Sequence, residues 1–203
     1  MIIVVGGHSR NIGKTSVVAG LIAAMPELHW TAMKITQYGH GICSANGKVC
    51  HCATDDHSWA VTEERDRSGR NDSSRFLVSG AARSLWVRTR QGMLAEAMPR
   101  VRQELAAAEN AVIESNSVLG FLRPDLYLTV LDGATADFKL SAQQFLKDAD
   151  AVVLHDRTEV AWENVSLNAM REKPLFRIQP PQYVTPELVE FVRMRMATAA
   201  QKQ

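Results

Sequence analysis

The sequence feature that most constrains the fold is a buried strand followed by a glycine turn and a helix. Residues 2–5 form a continuous apolar, β-branched run, which predicts a strand buried on both faces. Gly6 and Gly7 end this run, and from Lys14 onward apolar residues recur at helical spacing until Pro26. Strand, turn and helix in this order open a βα unit, which favours a parallel sheet.

The rest of the chain continues the alternation of strands and helices. Further strands are predicted at residues 29–35, 85–87, 111–113, 126–131, 151–154 and 175–178. Helices are predicted at residues 75–82, 92–109 and 141–147, and from Thr185 onward. Pro99 is expected either to kink the helix at 92–109 or to delay its start. We therefore predict an α/β fold with a doubly wound, mostly parallel sheet in a three-layer sandwich.

Composition and charge limit the class of protein. A length of 203 residues with 46% hydrophobic residues suits one domain spanning residues 1–203. A formal net charge of +1 gives no reason to expect nucleic acid or a membrane as partner, and the apolar runs are too short to cross a bilayer. The N-terminus does not resemble a signal peptide, so we expect a cytoplasmic location. Residues 36–72 are polar and aperiodic, and are expected to form a long functional loop or insertion.

The turn between the first strand and the first helix has the pattern of a phosphate-binding loop. Backbone N–H groups converge there at a helix N-terminus, which favours an anion. Lys14 can reach the β- and γ-phosphates of ATP or GTP, and the Thr15 hydroxyl can bind Mg²⁺. The residues expected to bind the nucleotide are Ser9, Arg10, Asn11, Ile12, Gly13, Lys14, Thr15 and Ser16. The chain departs from the usual G-x-x-x-x-G-K-[ST] pattern at His8, which stands where the first glycine is expected. A P-loop NTPase sandwich is the form of α/β fold that these residues predict.

A carboxylate that completes such a site is expected at the end of a buried strand. Glu114 follows the apolar residues 111–113 and is a candidate to hold Mg²⁺ through water or to position an attacking water. Asp66 and Asp72, in the charged segment, are rival candidates for this role. The predicted catalytic residues are Lys14, Glu114 and Asp66, and the predicted magnesium ligands are Thr15 and Glu114.

A cysteine- and histidine-containing segment predicts a second metal. Cys43, Cys50, Cys52 and His57 lie close together in sequence, and thiolates and imidazoles are ligands that zinc and nickel prefer. Four such ligands would close a tetrahedral site for Zn²⁺. His40 in place of His57, a pair of cysteines from each of two chains, and free thiols in a flexible loop are the alternatives.

A second block of residues resembles a known family. Residues 66–75, followed by Ser79-Gly80-Ala81, resemble the D-x-x-G-K-D-S-x-R … A-G-A signature of the MobB-like proteins of molybdopterin guanine dinucleotide biosynthesis. Here Arg70 replaces the signature lysine, and one extra residue precedes the serines. Lys34 falls where that family has a lysine, and Glu114 falls where a family strand ends in an acid.

This resemblance covers roughly the first 130 residues and implies both an activity and a partner. It implies a P-loop domain, often a homodimer, that binds GTP, hydrolyses it slowly and acts as an adaptor with a cofactor-assembly protein. The chain has no Asn-Lys-x-Asp motif, so ATP and GTP both remain open. Two other functions are also open: a nucleotide-gated switch protein that handles zinc or nickel, and a small-molecule kinase or ligase. An arginine at position 65, 67, 70 or 75 is a candidate for a further cation at the phosphates.

Overall fold

The computed structural model describes residues 1–38, 58–156, 162 and 167–200. In these residues eight strands form one sheet. The strands are β1 (Ile2–Gly7), β2 (Trp30–Tyr38), β3 (Trp59–Glu63), β4 (Arg83–Arg90), β5 (Asn110–Glu114), β6 (Leu126–Leu131), β7 (Ala151–His155) and β8 (Leu175–Ile178). The α-helices are α1 (Lys14–Ala24), α2 (Asp72–Val78), α3 (Leu94–Ala106), α4 (Leu140–Phe145) and α5 (Pro186–Ala200).

The sheet has the strand order β3-β4-β2-β5-β1-β6-β7-β8. Every neighbouring pair is parallel except β3 and β4, which are antiparallel. The chain adds β2 to β5 on one side of β1 and β6 to β8 on the other, so the direction of the connections across the sheet reverses at β1. Ligands of open α/β sheets bind beyond the carboxyl ends of the strands at such a switch point. The predicted doubly wound, mostly parallel α/β sheet is confirmed.

Two apolar cores lie on opposite faces of this sheet. On one face, Val17 of α1 and Leu188 of α5 share a core with Val5 of β1. On the other face, Val101 of α3 shares a core with Val4. Successive side chains of a strand point to opposite faces, so one apolar run contributes to both cores. This arrangement is the predicted three-layer sandwich.

Two parts of residues 36–72, which we predict to be an aperiodic loop or insertion, are strands in the structure. Strand β2 continues to Tyr38, and β3 forms an antiparallel edge strand beside β4. Trp59 and Val61 of β3 pack against the core that contains Val101, whereas Thr62 and Glu63 are exposed. An alternation of only five residues at a sheet edge is too short to be recognised by its period.

Helix α2 begins three residues before the predicted start at residue 75, because its cap lies earlier. The Asn71 side chain accepts a hydrogen bond from the Ser74 N–H at 2.8 Å, which satisfies one of the free donors of the first turn. Helix α3 begins at Leu94, so Pro99 lies inside it and does not delay its start. None of the helices in the described part of the chain combines the length and the apolar character needed to cross a membrane.

Candidate phosphate-binding site

The phosphate loop, residues 7–15, joins β1 to α1 at the carboxyl edge of the sheet. Gly13 is the N-cap residue of α1 and has a φ of 87°, in the left-handed region that favours glycine. A Cβ atom at Gly13 would lie 2.3 Å from the ring of Tyr183, so the position needs glycine for a second reason. No side chain caps α1. The N–H groups of its first turn are therefore left to bind an anion.

Both glycines at residues 6 and 7 belong to β1, although the sequence predicts them as the turn. Asn116 explains the glycine at position 6, because a Cβ atom there would lie 2.2 Å from its Oδ1 atom, and a Cβ atom at Gly7 would lie 2.9 Å from the Val130 carbonyl oxygen. The Asn116 side chain accepts a hydrogen bond from Gly7 N–H and donates one to Gly7 C=O, both at 2.8 Å. Asn116, which the sequence analysis missed, therefore holds the start of the loop by a two-bond contact.

His8 is fully buried and fastens the phosphate loop to the segment after β6. Its Nε2 atom accepts a hydrogen bond from Asp132 N–H at 3.0 Å, and its Nδ1 atom donates to Asp137 C=O at 2.8 Å. These roles require the neutral imidazole, and burial lowers the pKa of His8. The ring lies 5.0 Å from that of Phe138 and 4.9 Å from that of Trp162. The histidine that replaces the usual glycine at position 8 thus anchors the phosphate loop to the segment after β6.

Lys14 lies over the loop, where its ammonium donates a hydrogen bond to Ser9 C=O. Burial lowers the pKa of Lys14 to about 8, although the charge of Glu114 opposes this shift. A phosphate oxygen near this ammonium would restore the charged form.

Lys139 is a further lysine of this site that we did not predict from the sequence. It lines the same cavity as Lys14, and its backbone N–H donates to His8 C=O at 2.9 Å. Burial, followed by the charge of Arg10, lowers its pKa. Within the described ranges its ammonium has no hydrogen-bond partner. Its place in the turn after a buried strand, at the carboxyl edge of the sheet, is the sequence signal that could have identified it.

The predicted magnesium ligands Thr15 and Glu114 meet at the start of α1. The Thr15 hydroxyl donates to Glu114 Oε2 at 2.8 Å, and the Glu114 side chain is only 3% exposed. Both groups offer oxygen atoms, which suit Mg²⁺. Lys34 donates to Glu114 Oε1 and lies 2.9 Å from Asp72 Oδ2. Burial alone would lower the pKa of Lys34, but the charges of Glu114 and Asp72 outweigh it and raise the pKa.

The structure separates the two rival carboxylates. Asp72 is the first residue of α2 and lines the cavity. Asp66 is exposed in the preceding turn, where it accepts a hydrogen bond from Ser68 N–H at 2.8 Å, and it does not line the cavity. The position of Asp66 therefore does not support its predicted catalytic role, whereas the rival candidate Asp72 lies at the cavity.

Most of the residues predicted to bind nucleotide line one cavity of about 830 Å³. They are Arg10, Asn11, Gly13, Lys14, Thr15 and Ser16. Ser9 and Ile12 are buried behind the loop instead. The Ser9 hydroxyl donates to Asp137 Oδ2 at 2.7 Å, and the Ile12 C=O accepts from His155 Nε2 at 2.9 Å. These two residues support the loop without facing the cavity.

Most of the charged residues described in the cavity lining are cations. Arg75 belongs to it and donates to Ser16 Oγ at 2.9 Å, so the arginine at position 75 is the one of the four candidates that reaches the site. Among the residues that the structure describes, the cations of the lining are Arg10, Lys14, Lys34, Arg75 and Lys139, and the carboxylates are Asp72 and Glu114. This excess of positive charge favours an anionic ligand.

The predicted zinc ligands Cys43, Cys50, Cys52 and His57 lie outside the described residues, so the zinc site stays a prediction. Among the residues that are described, no group of three or more histidine, cysteine, aspartate or glutamate side chains is placed to hold a metal ion.

The sheet order together with the loop at the start of α1 is the arrangement of a P-loop α/β fold. No family model and no curated protein matches the sequence. The chain is similar in structure to HypB from Helicobacter pylori, crystallised in complex with nickel, with a TM-score of 0.49 and 14% identity over 98% of this chain and 87% of that one. It is also similar to LpxK from Aquifex aeolicus, crystallised in complex with ATP, with a TM-score of 0.47 and 18% identity over 87% of this chain. The match spans 53% of the LpxK chain, about half its length. Similarity at this level concerns the fold and not the ligand.

Proposed function

We propose that this chain binds a nucleoside triphosphate with Mg²⁺ and hydrolyses it slowly. The observation that carries the proposal is the meeting of Lys14, Thr15 and Glu114 at the uncapped N-terminus of α1, inside a cationic cavity. Such a helix end supplies converging N–H donors and a favourable dipole for phosphate.

In this proposal each group of residues has a separate role in phosphoryl transfer. The first-turn N–H groups of α1 bind the phosphate oxygens, and Lys14 exchanges its contact with Ser9 C=O for one with phosphate. Lys139, which lines the same cavity, adds a further ammonium. Thr15 and Glu114 would hold Mg²⁺, which would neutralise part of the phosphate charge. Hydrolysis then depends mainly on positioning and charge stabilisation.

The Mg²⁺ dependence of nucleotide binding tests this proposal. We expect Thr15→Val to weaken binding of a non-hydrolysable ATP or GTP analogue about tenfold with Mg²⁺ present, because it removes a ligand oxygen. Without Mg²⁺, wild type and variant should bind alike. The matched control is Thr198→Val, which alters a hydroxyl on α5 that donates to Met194 C=O. Equal weakening with and without Mg²⁺ would argue against the metal role of Thr15.

A role as adaptor in molybdenum-cofactor assembly is the finer proposal, and the MobB-like block supports it. In the structure this block contains the cap and first turn of α2, and it places Asp72 and Arg75 in the cavity. A molybdoenzyme assay in cells that lack this chain tests the role. Restoration of activity by wild type but not by Thr15→Val is the expected result.

A nucleotide-gated metal switch is the second proposal, and it rests on the three cysteines and the neighbouring histidines. The test is a zinc and nickel titration of the purified chain with and without a non-hydrolysable nucleotide. A change in metal affinity on nucleotide binding would favour the switch. Absence of metal uptake in both states would contradict it.

A further inference from the structure

The cavity continues past the phosphate loop to the side chain of Trp86. We propose that this extension binds a second substrate, a small polar ring compound with a hydroxyl group, which accepts the terminal phosphoryl group in place of water. The inference rests on the proposed binding of a nucleoside triphosphate, and it identifies the class of acceptor at that same site.

The register of three neighbouring strands places Glu114, Lys34 and Trp86 in one row across the sheet, with Glu114 at one end of the cavity and Trp86 at the other. Glu114 of β5 is paired with Lys34 of β2, and Lys34 is paired with Trp86 of β4. Residues paired in adjacent parallel strands point to the same face, and neighbouring strands lie about 4.8 Å apart. The backbone at Trp86 therefore lies roughly 10 Å from that at Glu114, two strand spacings away. A ring compound beside a phosphoryl group fits this distance.

Trp86 forms the far wall of the cavity, and two contacts hold its side chain in place. The Trp86 indole N–H donates to Thr36 Oγ1 at 2.9 Å, and the Arg88 guanidinium lies 4.7 Å from the ring centroid. The described lining contributed by β2, the start of α2 and the residue after β4 includes the neutral polar side chains Thr36, Gln37, Asn71, Ser73 and Gln91. A fixed aromatic surface in a cavity that also offers hydrogen-bonding groups is typical of pockets for polar ring compounds. Activation of water alone requires no such wall.

Asp72 lies between the two ends and is positioned to take the acceptor proton. It lines the cavity, and its carboxylate is held 2.9 Å from Lys34 Nζ. In the proposed step the acceptor hydroxyl oxygen forms a bond to the γ-phosphorus. The bond from that phosphorus to the β–γ bridging oxygen breaks, and the nucleoside diphosphate leaves with the electron pair. The hydroxyl proton passes to Asp72.

The test incubates the full chain with a nucleoside triphosphate labelled at the γ-phosphate and with a small-molecule extract of bacterial cells obtained by dialysis. The measurement is which compound carries the label afterwards. Chromatography separates labelled organic phosphate from inorganic phosphate. We expect a labelled organic product with wild type and at least about tenfold less with Trp86→Ala at unchanged nucleotide affinity. Trp86→Phe, which keeps an aromatic wall, should retain most of the transfer. Asp72→Asn should abolish transfer, whereas the matched control Asp66→Asn should not.

Label found only in inorganic phosphate would overturn the acceptor proposal and leave the proposed nucleotide site intact. Loss of nucleotide affinity in Trp86→Ala would also overturn it, because Trp86 would then belong to the nucleotide site. Failure of the wild-type chain to bind nucleotide would instead refute the proposed function on which the acceptor depends.

Discussion

Lys34 and Glu114 form an ion pair at the carboxyl edge of the sheet, and the same Glu114 carboxylate accepts a hydrogen bond from the Thr15 hydroxyl. Glu114 is 3% exposed and Lys34 is 15% exposed, so water screens this pair little. The pair connects β2 and β5 with the first turn of α1. One buried carboxylate thus serves both the stability of the sheet edge and the predicted metal site.

We predict that Glu114→Gln weakens both stability and turnover. The amide keeps the size of the side chain but leaves Lys34 with Asp72 as its one remaining carboxylate. We expect a loss of about 1–3 kcal/mol in the free energy of unfolding, measured by denaturant titration, and a loss of nucleotide turnover. The control is Glu63→Gln, which breaks an exposed pair with Arg83 and should cost less than about 1 kcal/mol. A stability equal to wild type would show that the pair contributes nothing.

We predict that His8 makes the protein less stable as the pH falls from 7 to 5. Its folded-state pKa is lowered below 6.5 by burial, so the unfolded state binds more protons below that pH. Stability is therefore full above about pH 6.5 and declines as the pH falls through it. His8→Phe keeps a ring beside Phe138 and Trp162 and should remove this part of the pH dependence. His29→Phe, at an exposed site, should retain it. Parallel pH profiles for wild type and His8→Phe would contradict the account.

We predict that nucleotide affinity falls as the pH rises above about 8. The pKa of Lys14 is about 8 before phosphate binds, so at higher pH binding must also protonate the amine. Calorimetry across this pH range measures the effect. The arginine of Lys14→Arg stays charged over this pH range. The nucleotide affinity of this variant should therefore change less with pH, although it should be weaker than that of the wild type throughout. An affinity for wild type that does not change between pH 7 and 10 would be inconsistent with this role.

The sequence could predict the fold and the phosphate loop because both depend on local patterns. The apolar run of β1, the glycine before Lys14 and the helical spacing after it are all visible in a short window. The position of Glu114 could be predicted as well, because it ends a buried strand. The P-loop arrangement of strand, loop and helix follows from these same features.

The remaining features depend on contacts between residues distant in sequence. The contact of His8 with residues 132 and 137 spans more than a hundred residues, so its anchoring role could not be read from the loop pattern. Asn116, Lys139 and Trp86 reach the site through strand order alone. Asp66 and Asp72 are indistinguishable by residue type, and only the start of α2 at Asp72 separates them.

Binding of nucleotide phosphates by the amides at the start of α1 and by the Lys14 ammonium can be measured directly. The most direct measurement is calorimetric titration of a non-hydrolysable nucleotide with Mg²⁺ into wild type, Lys14→Ala and the exposed-site control Lys147→Ala. The account predicts an affinity at least about 100-fold weaker for Lys14→Ala, or about 2.7 kcal/mol, and no change for Lys147→Ala. Equal affinity in all three proteins would contradict it.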